Sequence, residues 1–167
     1  VQEAGMVPIL EPEVLYDGMH SRMRSRAVIT DALHALVQAL GEHGVDQSAV
    51  IIKTSMAMSG KGTGKIDTPE EVAEDTLGAL TEAVPAVIPG IVFLSGGQGN
   101  DQATDNLRAI AKAAKAAGAP WGISFSYARA LQDEALKVWG GKDENVAAAR
   151  EAFLGRLLKV SKATLGE

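Results

Sequence analysis

Four residues of this chain pair a reactive side chain with the same local setting. Glu11, Lys53, Ser95 and Arg129 each stand at or just beyond the end of a short, nearly continuous apolar run. Lys53 follows Ala49-Val50-Ile51-Ile52. An ammonium at the mouth of an apolar strand loses part of its hydration, which favours the neutral amine, a nucleophile toward carbonyl carbon. Periodicity alone favours a plainer role, a lysine whose stem lies along a strand edge while its head reaches water. Glu11-Pro12-Glu13 places two carboxylates two residues apart. In extended chain such positions point the same way, and carboxylates that share a pocket divide into an acid and a base. An acidic turn bent by Pro12 fits the same letters equally well. Ser95-Gly96-Gly97 offers a hydroxyl and adjacent backbone N–H groups, the makings of a phosphate cradle. Arg129 can grip the same anion through parallel N–H donors if its strand is the neighbour. A surface ion pair at a helix start is the commoner role for such an arginine.

One rival motif overlaps this set. Leu94-Ser95-Gly96-Gly97-Gln98 also spells the signature of ABC-type ATPases. Such an enzyme needs a G-x-x-x-x-G-K-[ST] loop. The nearest stretch, Ser59-Gly60-Lys61-Gly62-Thr63-Gly64-Lys65-Ile66, has Ser in place of the first Gly and Ile where Ser or Thr must hold magnesium. The apolar run after the signature leads to Ala128 and Arg129 rather than to a metal-binding Asp. The ATPase reading fails on both counts. His20, His34 and His43 have no ligand spacing on a shared face and are read as surface or structural.

The elements that must position these groups follow from hydrophobic pattern. Met6–Leu10, Ala49–Ile52, Gly90–Leu94 and Gly122–Tyr127 read as strands buried on both faces, as in a parallel sheet. Ile29, Leu33, Leu36, Val37 and Leu40 share one helical face. Thr68-Pro69-Glu70-Glu71 combines an N-cap, a proline at the first helical position and a capping-box glutamate. That helix is expected to run to about residue 84. A third helix spans about residues 101–117, stopped by Gly118 and Pro120, and Trp139-Gly140-Gly141 separates Leu131–Val138 from a last helix over Asn145–Leu165. Trp121 and Trp139 are expected to anchor a core or an interface. The order β-α-β-α-β-α-β-α means an α/β fold, either open and doubly wound or a closed barrel, and chemistry at every strand end points to the parallel (β/α) barrel. A whole (β/α)8 TIM barrel takes about 250 residues, so the chain reads as half of one: residues 1–167 as a single unit of four βα repeats. A start at Val1 rather than Met fits a piece of a longer protein.

Composition limits the alternatives. With 46% hydrophobic and 22% charged residues the chain has the balance of a globular protein. Cysteine is absent, which excludes disulfides, thiolate metal sites and a cysteine nucleophile. A net charge of −5 without a basic stripe argues against nucleic-acid binding, and no apolar run is long enough to span a bilayer.

Several segments together resemble class I fructose-bisphosphate aldolase. They are Val7–Glu13, Ile51-Ile52-Lys53, Val84-Pro85 with Phe93–Gln98, Phe125–Gln132, Leu136–Lys142 and Glu144-Asn145-Val146. They lie in register along nearly the whole chain and correspond to the C-terminal half of that family's barrel. The resemblance implies that Lys53 forms the Schiff base with dihydroxyacetone phosphate or the open-chain hexose bisphosphate. It implies that Glu11 shuttles protons, that Glu13 helps set the charge state of Lys53 and Glu11, and that Ser95, Gly96, Ala128 and Arg129 hold the C1 phosphate. It implies no cofactor, because the imine replaces the zinc of class II enzymes. It also implies a cytoplasmic location, or a plastid if a transit peptide precedes, and a homo-oligomer in the long form.

The chain departs from the family in places. Ala128 stands where Gly is common, Thr54-Ser55 replaces a Pro- or Ala-containing pair, and Met19 interrupts an Asp-Gly-Asp-His turn. An aspartate and two lysines of the first four strands have no counterpart here, nor does a long C-terminal tail. The isolated chain is therefore expected to turn over poorly without the N-terminal half. The alternatives are a non-catalytic phosphate-binding half-barrel and a Schiff-base lyase for another phosphorylated ketose.

Overall fold

Each of the four apolar runs overlaps a strand in the computed structural model, which describes residues 1–167. In chain order the elements are β1 (Ile9–Leu10), α1 (Arg22–Glu42), β2 (Ile51–Thr54), α2 (Pro69–Ala83), β3 (Gly90–Phe93), α3 (Asn100–Ala117), β4 (Gly122–Phe125), α4 (Arg129–Trp139) and α5 (Val146–Ala163). The strands form one sheet in the order β1-β2-β3-β4, and every pair is parallel. Right-handed crossovers between sequential parallel neighbours put the connecting helices on one side. The result is a partial parallel α/β barrel.

Three of the four strands are shorter than their apolar runs predict. β1 begins at Ile9 rather than Met6, and β4 ends at Phe125 rather than Tyr127. The reason lies in the partners: Phe125 is opposite Phe93, the last residue of β3, and the Ser126 N–H donates a final bond to the Phe93 carbonyl at 2.9 Å. β2 is displaced the other way. It starts at Ile51 and carries Lys53 as its third residue, with Thr54 closing it.

Alternation divides the sheet into two unlike faces. Ile52, Thr54, Ile91 and Phe93 are buried, on the face that packs beneath the helices with Ile29, Leu33, Leu80, Leu107 and Ile110. Ile9, Ile51, Lys53, Val92 and Ser124 share the opposite face. That face is incompletely covered: Ile9 is 55% exposed, and the other four are half-buried.

Local signals set the helix ends. In α2 the Thr68 hydroxyl accepts from Glu71 N–H at 3.2 Å while the Glu71 carboxylate accepts from Thr68 N–H at 2.9 Å, and Pro69 occupies the first position. The predicted capping box is therefore formed. Replacing Thr68 with alanine is expected to cost about 1 kcal/mol, read as a lower urea midpoint; an unchanged midpoint would show that the cap contributes nothing. α4 starts two residues before the predicted Leu131, with Arg129 in its first turn. Trp121 is buried and donates from Nε1 to the Pro85 carbonyl at 3.2 Å. Trp139 is 40% exposed and lines an apolar groove of about 660 Å³ between α4 and α5.

A charged cluster joins α1 to α2 and the loop before it. Arg22 lies 3.2 Å from Asp75, 3.4 Å from Glu71 and 3.7 Å from Asp67. Burial alone would raise the Asp67 carboxyl. The Ser59 amide at 2.6 Å, the Lys65 ammonium at 3.0 Å and the Ser59 hydroxyl at 3.0 Å outweigh it and hold the group below its usual range. A depressed carboxylate contributes stability that is complete above its unfolded value and lost as the pH falls through its folded one. Asp67→Asn should therefore lower stability at neutral pH and narrow its gap to the parent protein below about pH 4. Parallel stability–pH curves would contradict this.

Candidate active site

Register decides what meets Lys53. Ile9 pairs with Ile51 and Leu10 with Ile52, so one step on, Glu11 falls beside Lys53. The two side chains form an ion pair at 3.0 Å, with Lys53 19% and Glu11 42% exposed. Across the sheet the same row continues through Val92 and Ser124, the residues opposite Lys53 on β3 and β4 in turn. The pair thus sits at the carboxyl end of the sheet, on its open face, with apolar neighbours and water on one side. Glu13 lies beyond β1, is exposed, and makes no ion pair or hydrogen bond to Lys53 or Glu11.

Ser55 holds the acidic segment in place. Its hydroxyl accepts from Val14 N–H and donates to the Val14 carbonyl, both at 2.9 Å. The end of β2 is thereby stapled to the chain just past Glu11-Pro12-Glu13. Nothing in the spacing of a lone serine announces this; it follows only from the two strands being neighbours.

Gly96 and Gly97 have φ of 57° and 90°, a left-handed backbone that glycine adopts without strain. Gln98 N–H donates to the Ser95 carbonyl at 3.0 Å, closing a turn. Within that turn the N–H groups of Gly96 and Gly97 have no protein acceptor. Ser95 is largely buried, and its hydroxyl makes no hydrogen bond within the chain. The Arg129 guanidinium crosses above: a Cβ built on Gly97 would lie 3.5 Å from its Nη2. Arg129 is exposed and has no carboxylate partner. The Ser95 hydroxyl and two free N–H groups thus belong to one turn that the unpaired Arg129 guanidinium approaches at Gly97, and Ala128, the residue before Arg129, is the N-cap of α4. Such a set suits a dianionic oxygen cluster.

Buried amide–sulfur contacts fix this turn from below. Asn106 Nδ2 donates to Gln98 Oε1 at 2.8 Å, Gln98 Nε2 approaches Met56 Sδ at 3.6 Å, and Asn106 Nδ2 approaches Met58 Sδ at 3.5 Å. Tyr127, whose phenol burial pushes well above its ordinary value, donates to the Ala103 carbonyl at 2.9 Å and ties the end of β4 to α3.

The glycine-rich stretch Ser59–Lys65 is no phosphate loop. Its N–H groups are spent internally: Gly60 donates to His20, Lys61 to Tyr16 and Gly62 to Gly18, each at 2.8 Å. A Cβ on Gly60 or Gly62 would lie 2.5 or 2.7 Å from the Gly18 carbonyl oxygen. These glycines serve close backbone approach to the Asp17–His20 turn, and that turn is a structural support. His34 is bonded to the Glu82 carbonyl at 3.3 Å.

Four parallel βα units, with the Lys53–Glu11 pair and the Ser95–Gly97 turn at the carboxyl ends of the strands, define a partial parallel α/β barrel. The class-I fructose-bisphosphate aldolase family profile matches residues 1–167. The chain belongs to that family. Over 167 residues it is 48% identical to cytosolic fructose-bisphosphate aldolase 6 of Arabidopsis thaliana, covering 99% of this chain and 45% of that protein. Sheep (Ovis aries) fructose-bisphosphate aldolase B is 45% identical over 166 residues, with 99% and 45% covered. The fold superimposes on fructose-bisphosphate aldolase from Plasmodium falciparum, solved with TRAP and a small-molecule inhibitor, with a TM-score of 0.90. Identity there is 42%, covering 96% of this chain and 45% of the other. The chain thus spans a little under half the length of these relatives.

Proposed function

We propose that the protein containing this chain cleaves fructose 1,6-bisphosphate reversibly to dihydroxyacetone phosphate and glyceraldehyde 3-phosphate, through an imine on Lys53. The observation that carries the reading is the 3.0 Å Lys53–Glu11 pair at the carboxyl end of the sheet. Glu11 accepts a proton from the Lys53 ammonium, and the free amine adds to the C2 carbonyl. Protonation of the carbinolamine oxygen by Glu11 releases water and leaves a protonated imine. When the C3–C4 bond breaks, its electrons flow into that imine as an enamine, while the C4 hydroxyl proton passes to a base and the aldehyde departs. Protonation at C3 and hydrolysis return dihydroxyacetone phosphate and the free lysine. The iminium is the electron sink, so the sequence of steps asks for no metal.

Ser95, the Gly96 N–H, Arg129 and the backbone at Ala128 hold the C1 phosphate. Glu13, exposed two residues beyond Glu11, helps set the charge of Lys53 and Glu11 without an ion pair to either. Residues 1–167 act as the C-terminal half of the barrel. An N-terminal half completes the pocket and binds the second phosphate, and the long form assembles as a homo-oligomer in the cytoplasm.

Borohydride reduction in the presence of dihydroxyacetone phosphate, followed by peptide mass analysis, tests the assignment. A reduced adduct on Lys53 is expected. A folded full-length protein that traps the ligand on another lysine, or not at all, would overturn it.

A further inference from the structure

We propose that Arg156 is a positioning residue that sets the spacing of the phosphate site without touching the ligand. The inference rests on the assignment of Ser95, Gly96 and Arg129 to the C1 phosphate. Arg156 lies on α5, far along the chain from those groups, and its side chain is 0% exposed. Its Nε donates to the Ala130 carbonyl at 2.9 Å. Nη1 donates to Asp101 at 2.8 Å. Nη2 donates to the Asn100 carbonyl and to the Thr104 hydroxyl, the latter at 2.6 Å. Asn100 opens α3 immediately after the Ser95–Gly99 turn, and Ala130 is the residue after Arg129. One rigid guanidinium thus bridges the ends of the two segments that hold the anion.

A purely structural role explains this arrangement poorly. Withdrawing a guanidinium from water is costly, and an apolar side chain of similar volume usually packs as well or better. The charge here is met by carboxylates at the surface, Asp101 at 2.8 Å and Glu134 at 3.9 Å, while the remaining donors go to backbone and hydroxyl acceptors. What the planar fork supplies is fixed geometry among several acceptors at once. That geometry sets how far the Gly96–Gly97 N–H groups lie from the Arg129 guanidinium.

The experiment compares two ligands on the full-length protein. Borohydride trapping at Lys53 gives the half-saturating concentration of dihydroxyacetone phosphate and of unphosphorylated dihydroxyacetone. Arg156→Lys keeps the charge and loses the fork. It is expected to raise the value for the phosphorylated ligand about tenfold, as a small misplacement does, and to leave the other unchanged. Equal loss for both ligands, or none for either, would reduce Arg156 to a packing residue and overturn the proposal. If Arg156→Lys does not fold, Thr104→Val removes one acceptor. It should raise the phosphorylated value roughly threefold in the same selective way, and an unchanged ratio overturns the proposal. Arg129→Ala, run in parallel, separates the two levels. If it leaves the preference for the phosphorylated ligand intact, the phosphate assignment falls and this proposal with it. If it abolishes the preference while Arg156→Lys does not change it, the positioning role alone falls.

Discussion

Lys53→Arg and Lys53→Met in the full-length protein should each lose cleavage activity by a factor on the order of 10⁴ or more, the scale seen when a covalent nucleophile is removed. The two variants fail for different physical reasons. Methionine keeps the length and apolar stem but leaves Glu11 without its 3.0 Å partner. Arginine keeps a cation beside Glu11, yet a guanidinium does not form an imine with a ketone under these conditions because it stays protonated. If charge were what mattered at this position, arginine would retain activity and methionine would not. Equal loss in both, with circular dichroism unchanged, assigns the role to the amine. Substantial cleavage by either variant would move the nucleophile elsewhere.

Arg129→Ala should weaken binding of dihydroxyacetone phosphate roughly 10- to 100-fold, the range for losing a charge-assisted pair of donors to phosphate. The expectation draws on three features already described. Arg129 has no carboxylate partner, its guanidinium lies over Gly97, and the glycine N–H groups below it have no protein acceptor. Because the interaction is between a cation and a dianion near the surface, the penalty should shrink as salt is added. Binding that is indifferent both to the substitution and to ionic strength would place the phosphate somewhere else.

Much of the scaffold was legible in the sequence because its signals are local. The Thr68–Glu71 box, the glycine stop after α3 and the four apolar runs each depend on neighbours in the chain. Lys53 and Glu11 were legible as strand-end residues, and their pairing then follows from register. Arg156 was not legible. At the sequence level it is one more arginine among the charges of a C-terminal helix, and its burial exists only because α5 meets the first turns of α3 and α4. Ser55 was hidden for the same reason. The exact strand ends were blurred because apolar runs report burial, whereas a ladder ends where its neighbour ends. Met6 and Val7 show the difference: both are apolar, both lie outside β1, and both are 58% exposed.

The sequential strand order has a kinetic consequence. Every pairing in the sheet joins a strand to the next one along the chain, so no strand must wait for a distant segment before it finds a partner. Each strand pairing then closes a loop of a single βα unit, which costs less entropy than a longer closure would. A chain emerging from the ribosome can dock each new strand on an edge already formed. Arg156 enters late in this order, since α5 follows every segment that it clasps. The turn at Ser95 and the arm bearing Arg129 would be made first and brought to their final spacing only when the last helix closes over them.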